Sequence, residues 1–202
     1  MKFDAVILAG GNSSRMGRDK AWLEVEGQSL LARQIQVARE VGASEVFVSG
    51  RAGVDYSGLN FQVLRDRLVD AGPLGGIERA LDQTTTSLLL VLAVDMPRMT
   101  AEFLHQMLSR CRKGIGVVPR LNGNIEPLNA VYPKITAGLI EELFPAPTER
   151  GSSNEAIPVR VKSPSATAFA EKCVVCGMAT FIDVTESEAH FFTNWNSPQD
   201  TK

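Results

Sequence analysis

The run SLLLVLAVD, Ser87 to Asp95, constrains this chain more than any other stretch. Its apolar residues, Leu88 to Val94, show no alternation, and Asp95-Met96-Pro97 ends them before a helix could form. It is the strongest strand signal in the sequence and far too short to cross a bilayer. A second run, FDAVILA at Phe3 to Ala9, ends in Gly10-Gly11 and has the composition of a strand buried on both faces. Strands of that kind need helices on either side. Between the two runs, SLLARQIQVAREVG carries Leu30, Leu31, Ile35, Val37, Ala38 and Val41 at near-helical spacing and stops at Gly42. EVFVSG and FQVLRD read as short strands, and GPLGGIERALDQ as turn residues that continue into a helix. TAEFLHQMLSRC follows with Thr100 as its N-cap. Strand and helix therefore alternate, and the expected class is α/β, a parallel sheet with helices on both faces.

The second half is less regular. GIGVVP and PLNAVYP read as strands, ITAGLIEELF as a helix, SATAFAEKCV as another helix and TFIDV as a last strand. Residues 145–163, within PAPTERGSSNEAIPVRVKSP, read as an extended mobile loop. Neither a repeat nor a linker divides the chain, so residues 1–202 are expected to form one domain.

With 21 basic and 23 acidic side chains the net charge is −2, which argues against a general nucleic-acid or membrane-surface binder. Asp4 interrupts the first apolar run, so the N-terminus has no secretory signal and a cytoplasmic protein is expected. Cys173 and Cys176 form a single CVVC. That spacing suits a redox pair, but the apolar surroundings favour two buried packing thiols, and no role is assigned to them.

The chemistry concentrates in VILAGGNSSRMGRDKA, Val6 to Ala21. Ligands of open parallel sheets bind at the carboxyl ends of strands, where this run places Gly10 and Gly11. Without Cβ atoms, these glycines let a ligand approach the backbone, and their N–H groups can wrap a phosphate. Arg15, Arg18 and Lys20 supply positive charge suited to a triphosphate. The spelling fits neither G-x-x-x-x-G-K-[ST] nor G-x-G-x-x-G, which excludes both common phosphate loops. Asp95 stands at the end of the most apolar strand, where a carboxylate serves either a Mg²⁺ ion bridging to phosphates or the following turn. Asp66 ends VLRD in a similar place, and AGPLGG, Ala71 to Gly76, reads as a second glycine-rich loop.

In order, LAGGNSSRMGRDKAWLEVEGQSLL, Arg65-Asp66, GPLGGI, VDMP, EPLNAVY and FTNWNSPQD resemble the molybdenum cofactor guanylyltransferases, or molybdopterin-guanine dinucleotide synthases. The resemblance runs from about Val6 to Asp200; its opening motif is shared across many nucleotidyltransferases, and EPLNAVY with NWNSPQD narrows it. It implies a nucleotidyltransferase fold, a Rossmann-like, mainly parallel sheet in a three-layer α/β/α sandwich. It also implies a reaction: GTP and a molybdenum-bearing pterin phosphate give the guanine dinucleotide cofactor and pyrophosphate, with Mg²⁺. By the resemblance, Leu8, Ala9 and Gly10 contact the guanine nucleotide, Lys20 its phosphates and Asp66 the GTP, while Gly11 and Arg15 are assigned to the phosphates by the chemistry of the loop. Asp95 holds Mg²⁺, Ser49 stands where some members carry a nucleotide-contacting Asn, and Asn194 and Asn196 border the pterin pocket. Residues 145–163 depart from the family pattern, and Arg150, Arg160 and Lys162 there are either phosphate contacts or solvated surface. The implied partners are GTP and the pterin, with cofactor-insertion proteins or molybdoenzymes beyond them, and the assembly a monomer or weak homo-oligomer. The competing functions are a cytidylyltransferase on the same pterin, a sugar-phosphate nucleotidyltransferase, and a non-catalytic nucleotide-binding module that delivers the cofactor.

Overall fold

A computed structural model describes residues 1–10, 20–50, 54, 56, 61–65, 71–144 and 164–195. In chain order the strands and helices are β1 (Phe3–Leu8), β2 (Glu24–Val25), β3 (Gln28–Ser29), α1 (Leu30–Glu40), β4 (Val46–Ser49), β5 (Gln62–Leu64), α2 (Pro73–Gln83), β6 (Leu88–Ala93), α3 (Ala101–Arg110), β7 (Gly116–Leu121), β8 (Asn124–Ile125), β9 (Asn129–Pro133), α4 (Ala137–Leu143), α5 (Ala166–Val175) and β10 (Ala179–Asp183).

The unbroken apolar runs have the expected cause. β1 and β6 lie side by side in the middle of one sheet, ordered β10-β7-β9-β6-β1-β4-β5. Successive residues of a strand face opposite ways, and both faces here are covered. Ala5 and Ile7 of β1, with Leu88, Leu90 and Leu92 of β6, pack in a core with residues of α1 and α3. Val6, Leu8, Leu89 and Val91 pack in a second core with residues of α2, α4 and α5. The result is the expected α/β/α sandwich. β1 pairs in parallel with β4 and β6, whereas β9 runs antiparallel between β6 and β7. Thus β1–α1–β4 steps to one side of β1 and β5–α2–β6 returns to the other, with the two helices on opposite faces. That arrangement opens a crevice at the carboxyl end of β1.

Local chemistry sets the ends of the elements. Ser29 Oγ accepts from the Ala32 N–H at 3.2 Å, Thr100 Oγ1 from Phe103 at 3.3 Å and Ser165 Oγ from Ala168 at 3.1 Å, so each caps its helix. Gly42, at φ +92°, follows α1 as expected. The glycine-rich Ala71–Gly76 departs from the loop reading. Only Gly72 makes the turn, with φ at +56°, and Pro73 already opens α2. Two short hairpins also appear, β2–β3 and β7–β8, each turned by two residues at positive φ: Glu26-Gly27 and Asn122-Gly123. At the start of ITAGLIEELF a 3-10 turn, Lys134–Thr136, comes first, and the α-helix starts at Ala137. The extended loop expected at 145–163 lies outside the described residues.

The two thiols of CVVC part company. Cys173 is fully buried in the α5 core, where burial pushes its pKa up to about 12. Cys176, one helical turn later at the C-cap, is exposed, so the expectation of two buried thiols holds for Cys173 alone. None of the helices among the described residues is long and apolar enough to cross a membrane.

Asp4 is the polar exception in the central strands. Its side chain is fully buried at the start of β1 and accepts from the Thr84 hydroxyl, from the Thr85 and Thr86 N–H groups at 3.0 and 3.3 Å, and from the Glu45 N–H at 3.2 Å. One carboxylate therefore ties the α2–β6 and α1–β4 connections to the edge of the sheet opposite the crevice. Asp4→Asn keeps the shape but sets an amide NH₂ against these donors. Its expected cost is about 2 kcal/mol, a fall of roughly 6 °C in thermal unfolding; an unchanged Tm would show that the tie is dispensable.

Candidate functional site

The carboxyl ends of β1, β4 and β6 bring the sequence-derived residues together. Leu8 and Ala9 are buried, and Gly10 is exposed in the crevice. The Ala9 N–H donates to Ser49 O at 2.9 Å, which locks the ends of β1 and β4 to each other. Ser49 is only 3% exposed, and its hydroxyl lies against Gly76 of α2. A Cβ at Gly76 would collide with the Ser49 side chain and press on Leu8, so glycine is required there for α2 to approach the strand ends this closely.

One strand to the other side stands Asp95, directly after β6. Its side chain forms an ion pair with Lys20 at 3.1 Å, with both side chains 23% exposed. Lys20 begins the 3-10 turn Lys20–Trp22, anchored by the fully buried Ala21. The pair thus links the end of the phosphate-loop motif to the second acidic strand end, across 75 residues of sequence. In an open crevice such a pair holds opposite charges ready for a bound anion and its counter-cation.

The backbone around Asp95 is held from several directions. The Val94 N–H donates to Leu8 O at 3.2 Å, and the Trp195 N–H donates to Asp95 O at 2.8 Å. From α1, Gln34 Nε2 donates to Met96 O at 2.5 Å and Arg33 Nε to Pro97 O at 2.8 Å. From β9, fully buried Asn129 accepts from the Ala93 N–H at 3.2 Å and turns its amide nitrogen to the Met96 sulfur. With the main chain pinned by α1, β9 and the C-terminal segment, Asp95 has little freedom left except in its side chain.

Beside Asp95 lies a cavity of about 500 Å³. Asn194 lines it, as do Gly72 and Pro73 at the start of α2 and Ser165 and Thr167 at the start of α5. Glu126 completes the polar set. Because β9 is antiparallel, the residues that precede it rather than follow it arrive at the crevice, and Glu126 to Leu128 do so. Burial alone raises the Glu126 pKa above the ordinary carboxylate value.

Of the sequence-derived residues, Leu8, Ala9, Gly10, Lys20, Ser49, Asp95 and Asn194 converge on this crevice. Gly11, Arg15, Arg18, Asp66 and Asn196 lie outside the described residues. Glu126, Asn129, Gln34 and Gly76 are additions the structure makes. EPLN carried a signal for two of them, since an acidic residue and an amide flank a proline just before an apolar strand. Gln34, on the buried face of α1, had none.

A family model described as "MobA-like NTP transferase domain" matches residues 5–157. A protein of Opitutus terrae named "Probable molybdenum cofactor guanylyltransferase" is 36% identical over 197 residues, which cover 96% of this chain and 90% of that protein. The "Molybdenum cofactor guanylyltransferase" of Syntrophotalea carbinolica is 34% identical over 150 residues, 72% of this chain and 70% of its own length. Among solved structures, the molybdopterin-guanine dinucleotide biosynthesis protein A of Archaeoglobus fulgidus superposes with a TM-score of 0.64 at 19% identity, covering 98% of this chain and 94% of that one. The 2-C-methyl-D-erythritol 4-phosphate cytidylyltransferase of Thermus thermophilus superposes with a TM-score of 0.67 at 18% identity, covering 100% and 96%. At these identities the two structures speak for the fold.

Proposed function

The chain belongs to the MobA-like NTP transferase family, and we propose that it transfers GMP from GTP to the terminal phosphate of a molybdenum-bearing pterin, with release of pyrophosphate. The observation that carries this is the Lys20–Asp95 pair, which sits between two differently built ends of one crevice. On the β1–β4 side, backbone and small side chains at Leu8, Ala9, Gly10 and Ser49 form a tight floor suited to a nucleotide. On the β6–β9 side, the cavity by Asp95 and Asn194 is large enough for a second, bulkier substrate.

Two anions must meet in this reaction, and their repulsion has to be offset before alignment matters. The pterin phosphate is already ionised at neutral pH, so it attacks the α-phosphorus in line without a nucleophilic side chain. Lys20 leaves Asp95 to bind the triphosphate and neutralise the departing pyrophosphate, with Arg15 at the same phosphates. Gly10 and Gly11 fix the phosphates through their N–H groups, Asp66 contacts the GTP, and Asn194 and Asn196 border the acceptor. The carboxylate we assign to a cation is Asp95, at the open end of β6 beside Lys20. That donor set fits Mg²⁺, which takes one or two protein carboxylates and completes its shell with water and phosphate oxygens. Mg²⁺ held by Asp95 would supply charge neutralisation for the reacting phosphates.

Thermal unfolding with GTP, CTP or ATP, each with Mg²⁺, tests the nucleotide. A nucleotide at 100 times its Kd adds about 2.7 kcal/mol, a rise of roughly 5–10 °C, and GTP is expected to give the largest. A larger response to CTP overturns the guanylyl assignment. Adding molybdopterin to the protein with Mg-GTP is expected to release pyrophosphate, and failure to do so overturns the transferase.

A further inference from the structure

Glu126 is a carboxylate with no cationic or hydrogen-bonding counterpart among the described residues. Its main chain is fully engaged: the N–H donates to Pro119 O at 2.9 Å and the C=O accepts from Asn129 N at 3.4 Å. The next residue is fixed as well, since Tyr132 donates its hydroxyl to Pro127 O at 2.9 Å. The side chain, half-buried in the cavity wall, makes no hydrogen bond or ion pair with the described residues. Burial is the cause of its raised pKa, which agrees with a carboxyl partly withdrawn from water. A fixed backbone and a half-buried acid without a partner among the described residues make a poor structural element but a prepared ligand contact.

The chemistry of the contact follows from what shares the cavity. A carboxylate repels phosphate, so the acceptor's phosphate belongs at the Lys20–Asp95 end, and Glu126 faces the other part of that molecule. Pro73, Met96, Pro127 and Leu128 give the cavity apolar surface that suits a flat ring. A pterin presents adjacent 2-amino and N3–H donors on one edge, at the spacing that a carboxylate accepts with its two oxygens.

We propose that Glu126 is the specificity-determining residue for the acceptor, taking the 2-amino and N3–H edge of the pterin in a two-point hydrogen bond while the acceptor's phosphate lies toward Lys20 and Asp95. The proposal rests on the guanylyl-transfer function above. It adds a ring orientation: aminopyrimidine edge toward the start of β9, phosphate toward the end of β6.

Steady-state pyrophosphate release from the full chain, with Mg-GTP and molybdopterin varied separately, tests it. Glu126→Ala is expected to raise the KM for molybdopterin by roughly 10- to 100-fold, as for loss of a charged hydrogen-bonded pair, and to leave the KM for GTP unchanged. Two competitors read the edge itself. 6-Methylpterin offers two donors, whereas 6-methyllumazine replaces the 2-amino group with a carbonyl. The native protein should prefer the pterin by about tenfold or more. Glu126→Gln, with one acceptor and one donor, should remove or invert that preference, an effect that misfolding does not produce.

Equal inhibition of the native protein by both competitors, or by neither, overturns the proposal. So does an unchanged molybdopterin KM in Glu126→Ala, or a variant whose only change is a higher Mg²⁺ requirement, which would make Glu126 a cation ligand. If the native protein releases no pyrophosphate with molybdopterin, the guanylyl-transfer function falls first, and the proposal with it.

Discussion

Asp95→Asn is expected to lower kcat by 10²- to 10³-fold while the protein keeps its thermal stability. The main chain at Asp95 is held by Leu8 and Trp195, and its neighbours by Arg33, Gln34 and Asn129, so an isosteric amide should leave the loop in place. The lost ion pair is partly exposed and worth at most about 1 kcal/mol to folding. What disappears is the carboxylate charge proposed above to hold a cation, and losses of that size follow removal of one preorganised group from a site of this kind. The check is a Mg²⁺ titration of turnover beside a melting curve. A variant with native kcat and native Mg²⁺ dependence would remove Asp95 from the chemistry.

Lys20→Ala is expected to cost about 10²-fold in kcat, with a different signature. Asp95 remains, so the Mg²⁺ dependence persists, and the loss falls on the step in which charge builds on the departing pyrophosphate. Because Lys20 and Asp95 are partners in the free protein, the double variant should lose less than the product of the single losses. Full multiplicativity would mean that the two act independently and that the 3.1 Å contact is incidental.

Much of this architecture was legible because burial on both faces leaves a plain mark. β6, and β1 apart from Asp4, are apolar throughout, and α1 and α3 carry their stripes and caps in sequence. The strand ends, and hence Asp95, followed from where those runs stop. Other features depend on distance rather than composition. No local pattern says that Lys20 meets Asp95, or that Gly76 is needed because Ser49 lies under it. The two-residue Asn122-Gly123 turn was a readable hairpin signal, but β8 is only two residues long and shows no periodicity. Asp4 looked like an interruption in an apolar run because its hydrogen-bond donors come from residues 45 and 84 to 86. Glu126 sat in a quoted motif but took no role until the direction of β9 brought it to the crevice.

The reversed strand β9 has a practical consequence for redesign. At the carboxyl ends of β1, β4 and β6 the crevice receives the residues that follow each strand. β9 instead delivers Glu126, Pro127 and Leu128 from the segment between β8 and its own start, which joins two strands and no helix. Retargeting the proposed transfer to a new acceptor would therefore begin with the side chains of that entry segment, with the residues at the ends of β1 and β4 kept as they are.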